Sequence, residues 1–324
     1  MKKILVTGAS GFIGNALCKA LIKSDRSIYG AVRSINSSLI KSEIKYVSVG
    51  DISFKPNWKD ILAGIDCVIH CAAIPHKVNK NQDLDLYRLV NTKASEYLAE
   101  ESCKAGVKRL IFLSSIKVNG ESTNNEFEKV NPSGQIKNVF THNDIPNPLD
   151  PYSISKSNAE TFLWKISAKT SLDVVVVRLP LVYGKNVKGN LARLIKLVRS
   201  GIPLPLGLVK NQRSMIGIDN LVDLLIRCID HPKANGKTFL ASDDEDISTS
   251  ELIKLIASSM GRKANLFPFP ISMLKFLTSV LGKREEINRL IGSLKIDDSY
   301  TKEILNWTPP ITVEEGIRRM VQGK

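Results

Sequence analysis

The segment TGASGFIG, from Thr7 to Gly14, follows the apolar residues 4–6 close to the start of the sequence. Its glycines recur at every third residue, at a point where a buried strand would pass into a helix. Without Cβ atoms, such a turn lets the backbone approach a diphosphate, which the N–H groups and the dipole of the helix start would stabilise. An ordinary tight strand–helix connection can show the same spacing. The pattern predicts a dinucleotide-binding turn if strands and helices alternate around it.

The first half of the chain shows this alternation. The predicted strands are KILVTG, SIYGAVR, YVSVGD, DCVIHCAA, RLIFLSS and DVVVVRLP. The helices predicted between them cover residues 12–23, 58–63 and 85–105, and a further helix starts near Tyr152. Short, almost continuous apolar strands separated by helices are typical of a parallel sheet covered on both faces. We therefore predict an α/β fold: a Rossmann-type doubly wound parallel sheet with a smaller C-terminal lobe.

The rhythm changes after Pro180, which suggests two units. Residues 1–178 are predicted to form an NAD(P)-binding domain. Residues 179–324 are predicted to form mainly a substrate-binding lobe, with some segments packing back on the sheet. The predicted elements of this lobe include helices at 219–229 and 250–260, a strand at 238–241 and a terminal helix after 309–310.

Composition narrows the classes of partner. The net charge is +14, but the basic residues are spread along the chain without a run, which favours an acidic small substrate over nucleic acid. The five cysteines form no CxxC pair, and the sequence predicts neither disulfides nor a metal site. Because glycines interrupt the apolar start, no signal peptide is expected, and a reducing cytoplasm fits best.

The segment LFPFPISMLKFLTSVL, residues 266–281, is apolar but contains two prolines and Lys275. It is too short and too interrupted for an integral membrane span. We predict a packed helix, and a helix lying in a membrane surface is the alternative.

Two residues bear on the choice of cofactor. An NAD-binding fold places a carboxylate about 20 residues beyond the glycines, but here the second strand ends in Arg33. A cation at this position favours NADP(H), and NAD(H) remains possible. Asp51, which closes the third strand, is a candidate acceptor for the adenine amine or an ordinary turn residue.

The segment DPYSISK contains the candidate catalytic pair, Tyr152 and Lys156. Asp150 is a predicted N-cap and Pro151 a first helical residue, so the pair lies one turn apart on one helix face. We expect the ammonium to lower the pKa of the phenol, which would make Tyr152 a usable proton shuttle. Ser115 ends the strand RLIFLSS and should reach the same cleft, where its hydroxyl can bond a substrate oxygen.

These residues and several further motifs resemble an extended short-chain dehydrogenase/reductase of the nucleotide-sugar epimerase/dehydratase group. The motifs are TGASGFIG, GDI at 50–52, HCAA at 70–73, VNTKAS around Asn91, LSSIKVNGE, PYSISK, RLPLVYG at 178–184 and LNWTPP at 305–310. The resemblance covers nearly the whole chain. It implies that Ser115, Tyr152 and Lys156 are catalytic, that Tyr152 exchanges a proton with a sugar hydroxyl, and that the nicotinamide exchanges hydride.

The resemblance also implies binding residues. The predicted cofactor set is Gly8, Gly11, Phe12, Ile13, Gly14, Arg33, Asp51, Ile52, Ala72, Ala73, Asn91, Tyr152, Lys156 and Pro180. The predicted substrate set, for a UDP-sugar, is Ser115, Asn190, Leu191, Leu204, Leu206, Arg213 and Arg289. Within it, residues 204–206 would form a strand beside the uracil, and the two arginines would bind the diphosphate.

The activity remains open between two reactions. Dehydratases of this group carry Asp-Glu after the catalytic hydroxyl, whereas this chain has Ile116-Lys117, so water loss is not expected. SSIKVNGE resembles a subgroup with UDP-4-keto-6-deoxy-N-acetylhexosamine reductases and UDP-hexose 4-epimerases. Arg33 indicates NADP(H), which is the common dissociating reductant, and this favours a 4-keto reductase acting in surface polysaccharide biosynthesis. A 4-epimerase is the alternative, and a non-catalytic dinucleotide sensor a remote one.

The resemblance suggests a homodimer built from helices at about 85–105 and 152–169. His76, Lys117 and residues 119–147 are expected to shape the sugar pocket.

Overall fold

Short runs of buried aliphatic residues form one seven-stranded parallel sheet in the order β3-β2-β1-β4-β5-β6-β9. The computed structural model describes residues 1–36, 43–75, 84–123, 138–280, 282 and 284–323. The strands of the sheet are β1 Lys2–Thr7, β2 Arg26–Val32, β3 Lys45–Ser48, β4 Cys67–His70, β5 Arg109–Ser115, β6 Asp173–Leu179 and β9 Lys237–Leu240. Two shorter strands, β7 Leu181–Tyr183 and β8 Met215–Gly217, form a separate parallel pair. The predicted doubly wound parallel sheet is confirmed.

Alternation along the strands supplies both faces of the sheet with core residues. On β1, Ile4 and Val6 belong to the core on one face, and Leu5 belongs to the core on the other. A parallel sheet needs helices over both faces, and the chain provides them. Helices α1 and α7 cover the first face, and α2, α4 and α5 cover the second.

The helix boundaries agree closely with the apolar periodicity. The helices are α1 Phe12–Leu21, α2 Trp58–Leu62, α3 Leu84–Tyr87, α4 Ala94–Lys104, α5 Pro151–Ser167, α6 Asn190–Ser200, α7 Ile218–Asp230, α8 Thr249–Ser259, α9 Ile271–Val280, α10 Arg284–Ile291, α11 Ser299–Leu305 and α12 Val313–Gln322. At the start of α5, Asp150 is the N-cap and Pro151 lies in the first turn, as predicted, and Asp150 also forms a reciprocal capping box with Ser153.

Two sequence predictions differ from the structure. The predicted single helix at 85–105 is divided, because a π-helical turn, Arg88–Lys93, separates α3 from α4. The predicted strand at 204–206 is wrong, since only Leu204 forms a bridge, to Leu266. Two prolines, Pro203 and Pro205, flank that residue and cannot donate ladder hydrogen bonds.

The second half of the chain builds a lobe with its own core and also returns to the sheet. The lobe core contains residues of α6, α8 and α12. In contrast, β9 pairs with β6, and α7 packs on the sheet core. The division at residues 178/179 remains a prediction. None of the helices that the structure describes is both long and apolar enough to cross a membrane.

Candidate active site

The glycine-rich turn has no room for side chains. Gly8 has φ of +64°, and a Cβ atom there would lie 2.9 Å from the backbone of Ala72. A Cβ atom on Gly14 would lie 2.3 Å from the carbonyl oxygen of Gly8. Helix α1 begins at Phe12, so the N–H groups of Phe12 and Ile13 need partners outside the helix. This turn therefore fits the diphosphate of a dinucleotide.

The ends of β1 and β4 are joined beside this turn. The Thr7 hydroxyl lies 2.7 Å from Nδ1 of His70 and accepts a hydrogen bond from the N–H of Ala72 at 3.2 Å. His70 is buried, and burial lowers its pKa to about 3, so the ring is neutral. These contacts hold Ala72 and Ala73 at the carboxyl edge of the sheet, where the cofactor was predicted to pass.

Asp51 and Arg33 lie together at the ends of β3 and β2. The Oδ2 atom of Asp51 is 3.4 Å from the guanidinium of Arg33. Asp51 also caps the 3-10 turn Ile52–Phe54, and hydrogen bonds from the Ser53 hydroxyl and N–H hold the pKa of the Asp51 carboxyl below its usual value. Arg33 therefore already has a carboxylate neighbour, which the sequence could not show.

Asn91 is fully buried in the π-helical turn, and its side chain hydrogen-bonds both a loop and a helix. Its side chain accepts from the N–H of Ile74 at 2.9 Å and donates to the carbonyl of Ile74 and to the hydroxyl of Ser155. The amide thus ties the loop after β4 to helix α5. Its predicted contact with a cofactor remains a prediction.

The predicted catalytic residues meet at the carboxyl edge of β5 and β6. Tyr152 hydrogen-bonds the Ser115 hydroxyl. The register of the sheet pairs Ser115 with Leu179, which places Pro180 next to the same edge. Lys156, one turn from Tyr152, is buried and donates a hydrogen bond of 2.7 Å to the carbonyl oxygen of Leu113. The sheet therefore brings the three side chains to the same edge.

The expected effect of Lys156 on Tyr152 is wrong for this structure. Burial raises the pKa of Tyr152 to about 12, and only the hydrogen bond to Ser115 opposes it. Burial likewise lowers the pKa of Lys156 to about 8. The ammonium is directed to the backbone of β5 and lies 4.5 Å from the ring centroid of Phe112. Proximity along a helix did not reveal this competing acceptor.

A buried ion pair joins the ends of the central strands to helix α5. Arg178 on β6 binds Glu160 on α5, with 2.6 Å between their closest atoms. The hydroxyl of Ser114 donates to the same carboxylate, and Arg178 donates to Asn119 at 2.9 Å. These bonds join β5, β6 and α5 directly next to Ser115.

A second group of charges lies next to Ser115, and the sequence predicted Lys117 for the sugar pocket but not the ion pairs that it forms. Lys117 binds Asp150 at 2.6 Å and Glu121 at 2.9 Å. Burial acts to raise the pKa of Asp150, but hydrogen bonds from Lys117 and from the N–H of Ser153 hold it well below its usual value. Burial raises the pKa of Glu121. The i, i+4 spacing of Lys117 and Glu121 was a signal for one of these two pairs.

The two predicted phosphate arginines are close together. Arg213 donates to the backbone carbonyl oxygens of Arg289 and Gly292. Burial and the charge of Arg289 lower the pKa of Arg213, and Glu121 partly offsets them. Two clustered guanidinium groups next to one carboxylate suit a ligand that carries negative charge.

The apolar members of the predicted substrate set have mostly buried side chains. Leu191 in α6 and Leu206 belong to the core of the lobe. Only their backbone could meet a ligand. Asn190, the first residue of α6, is exposed. His76 and part of the predicted sugar-pocket segment, residues 124–137, lie outside the described residues.

Over the described ranges, no group of three or more His, Cys, Asp or Glu side chains is arranged to hold a metal ion.

A glycine-rich turn, a doubly wound sheet and a Tyr-Lys-Ser group at its carboxyl edge define a dinucleotide-dependent enzyme of the short-chain dehydrogenase/reductase type. The chain belongs to the NAD dependent epimerase/dehydratase family, whose pattern matches residues 4–241. The predicted family is thereby confirmed, and this membership favours an enzyme over the alternative of a non-catalytic dinucleotide sensor.

Two relatives align with nearly the whole chain. A UDP-glucose 4-epimerase of Vibrio cholerae is 41% identical over 326 residues, which cover 99% of this chain and 95% of the relative. An Escherichia coli O157:H7 protein named N-acetyl-alpha-D-glucosaminyl-diphospho-ditrans,octacis-undecaprenol 4-epimerase is 23% identical, with 98% and 94% covered.

Solved structures share the fold. The UDP-glucuronic acid 4-epimerase of Bacillus cereus, in complex with NAD, superposes with a TM-score of 0.78 at 22% identity and covers 99% of this chain and 98% of its own. The UDP-glucose 4-epimerase of Thermotoga maritima, with UDP-glucose, gives the same TM-score, identity and coverage.

Proposed function

We propose that this protein is an NAD-dependent UDP-sugar 4-epimerase, with UDP-glucose and UDP-galactose as its substrate pair. The observation that carries the proposal is the Tyr152–Ser115 hydrogen bond at the sheet edge, in a chain 41% identical over its full length to a UDP-glucose 4-epimerase. The 4-keto reductase expected from the sequence has no such support. The epimerase alternative therefore replaces it.

We propose NAD(H) rather than the NADP(H) expected from Arg33. The family is described as NAD dependent, and the Arg33 guanidinium lies 3.4 Å from the carboxylate of Asp51. A 2′-phosphate bound by Arg33 would stand close to that carboxylate, and like charges repel. The turn at Gly8–Gly14 would hold the diphosphate through backbone N–H groups.

In this proposal Tyr152 accepts the proton of the sugar 4-hydroxyl, and Ser115 hydrogen-bonds the same oxygen. When bound, NAD would supply the carbon that accepts and returns hydride, and its oxidised form would also supply positive charge. Such a charge is needed, because a phenol with a pKa of about 12 is almost fully protonated at neutral pH and can accept a proton only as the phenolate. After the hydrogen at C4 has been removed, return of hydride to the opposite face of the ketone inverts C4, and Tyr152 returns the proton.

Lys156 would hold the nicotinamide ribose, and its bond to Leu113 fixes the ammonium at the carboxyl end of β5. Arg213 and Arg289 would bind the UDP diphosphate. Lys117, with Asp150 and Glu121, would face the hexose between the ribose-binding and diphosphate-binding residues. Lys117 contacts Asp150 at the cap of α5, and Glu121 lies close enough to Arg213 to affect its charge.

We further propose a homodimer formed through α3, the π-helical turn and α5. Exposed apolar side chains on these elements support it, namely Leu86, Leu89 and Ile154. All five cysteines are free, which is compatible with function in the cytoplasm.

The experiment is a pair of incubations. With UDP-glucose and no added reductant, the proposal expects UDP-galactose to form without net change in NADH absorbance. With NADPH and a UDP-4-keto-6-deoxy-N-acetylhexosamine, it expects no stoichiometric consumption of NADPH. Consumption of NADPH in the second incubation, without isomerisation in the first, would restore the reductase.

A further inference from the structure

One edge of the C-terminal lobe exposes large apolar side chains on helix α9. Met273, Phe276 and Leu277 are 52%, 69% and 47% exposed, whereas Leu274 is buried in the lobe core. The helix is thus anchored by one face and presents the other outward. Since isolated exposed leucines are common, the grouping of three such side chains within five residues is the informative feature.

The segment before α9 extends this apolar edge. The N–H of Phe267 bonds the carbonyl of Leu204 at 3.1 Å, and the N–H of Gly207 bonds the carbonyl of Phe267 at the same distance. These bonds join the segment that carries Ile202 and Leu208 to the segment that carries Phe267, and all three side chains are exposed. We call Ile202, Leu208, Phe267, Met273, Phe276 and Leu277 the α9 surface.

The two chain segments that contribute the α9 surface are basic. Residues 190–213 and 252–283, which the Leu204–Leu266 bridge joins, contain no aspartate or glutamate. The basic residues in the two segments are Arg193, Lys196, Arg199, Lys210, Arg213, Lys254, Arg262, Lys263, Lys275 and Lys283. The nearest acidic residues in the sequence are Glu251, Glu285 and Glu286, which flank residues 252–283, so the two segments together carry a net positive charge.

We propose that the α9 surface docks the protein onto an anionic phospholipid bilayer. A short helix with exposed Phe, Met and Leu side chains and basic flanks is suited to lie in the interface, with its apolar face among the upper acyl chains and its cations near lipid phosphates. Helix α9 has 10 residues, which is too few to span the bilayer.

The charge pattern argues against a second copy of the chain on this surface. A two-fold contact would bring two identical basic edges together, and their repulsion would oppose the burial of apolar area. An anionic bilayer complements both features at once. Docking there would hold the lobe with the predicted uracil-binding residues, Leu204 and Leu206, at the membrane surface.

The test is co-sedimentation of the full-length protein with vesicles of equimolar POPG and POPC, with POPC vesicles alone as the neutral reference. Because a protein of charge +14 binds anionic vesicles through any basic face, matched variants are required. Lys196→Gln with Lys263→Gln removes two exposed cations at the α9 surface. Lys23→Gln with Lys59→Gln removes two exposed cations elsewhere.

The proposal expects binding to POPG vesicles, and an approximately 30-fold loss of partitioning for the first pair, from about fivefold per basic residue near the surface. The second pair should lose much less. Phe276→Glu should lose at least roughly tenfold, whereas Phe54→Glu, at an aromatic residue 84% exposed on another part of the molecule, should change little. Thermal unfolding checks that each variant is folded.

Three results would overturn docking. The first is absence of wild-type binding to POPG vesicles at low salt. The second is equal loss in the two lysine pairs. The third is concentration-dependent self-association that Phe276→Glu abolishes without any change in vesicle binding, which would assign the α9 surface to a second copy. None of these readouts uses enzymatic activity, so failure here is distinct from failure of the proposed reaction.

Discussion

The Nζ atom of Lys156 lies 2.7 Å from the carbonyl oxygen of Leu113, so the buried ammonium is bonded to the backbone of the central sheet. Burial nevertheless lowers the pKa of Lys156 to about 8, which means that the protein holds this charge at a cost in stability. The residue predicted to serve chemistry thus also determines how stability varies with pH.

Stability should therefore rise between about pH 8 and about pH 10.5 in a way that depends on Lys156. Across this range the unfolded chain keeps the lysine proton while the folded chain releases it, and stability increases wherever the unfolded state binds more protons. Relative to Lys156→Met, the wild type should gain about 3 kcal/mol of unfolding free energy over that range. Urea unfolding of both proteins over the pH series measures it, and a constant difference would contradict the assignment.

Replacement of Tyr152 by phenylalanine should remove the proton shuttle and leave the fold intact. We expect a fall in kcat of about 10²- to 10⁴-fold, the usual contribution of a general base, with little change in affinity for NAD. Initial rates of sugar isomerisation, with calorimetric titration of NAD as control, measure the two effects. Tyr87→Phe, which changes a neighbouring ring 6.1 Å away between centroids, is the matched variant and should keep most activity.

The Lys117–Asp150 pair should stabilise the protein at neutral pH. Lys117→Gln leaves two carboxylates, Asp150 and Glu121, without their cation, and we expect a loss of about 2 kcal/mol, less than for a fully buried pair. Because the pKa of Asp150 is depressed in the folded protein, its contribution is present above the unfolded pKa of about 3.9 and is lost as pH falls.

The loss caused by Lys117→Gln should therefore shrink below about pH 4, as urea unfolding at several pH values would show. Lys104→Gln, which removes an exposed partner of Glu101, should change stability much less. A loss for Lys117→Gln that is independent of pH would mean that packing, and not the ion pair, is responsible.

Asp51 should disfavour NADP. Asp51→Asn removes the carboxylate beside Arg33 and should raise affinity for NADP relative to NAD by roughly tenfold, which corresponds to about 1.4 kcal/mol. Asp60→Asn, at an exposed position in α2, is the control and should leave the ratio unchanged. Calorimetric titration with each dinucleotide gives the ratio. Stronger binding of NADP than NAD by the wild type would revive the expectation drawn from Arg33.

The fold could be predicted from the sequence because its determinants are local. Runs such as DVVVVRL predict buried strands. Asp150-Pro151 predicts the start of α5, which the structure confirms. The π-helical turn at Arg88–Lys93 has no such signal, since its apolar and polar residues also suit an α-helix.

The sequence was enough to predict that the candidate catalytic residues come together, but not which polar groups surround them. The positions of Ser115, Tyr152 and Lys156 follow from the parallel topology. The carbonyl of Leu113, which binds Lys156, and the carboxylate of Asp51, which lies beside Arg33, come from other segments of the chain. Such partners depend on tertiary packing. They overturn the expected pKa of Tyr152, and the Asp51 carboxylate is one basis for proposing NAD(H) in place of NADP(H).

The most direct measurement of the central claim uses UDP-glucose that carries deuterium at C4. If Tyr152 removes the hydroxyl proton while hydride passes to bound NAD and back, the UDP-galactose formed will retain deuterium at C4, as seen by mass spectrometry and NMR. Absence of UDP-galactose, or UDP-galactose whose C4 deuterium has exchanged with solvent hydrogen, would contradict the proposed reaction.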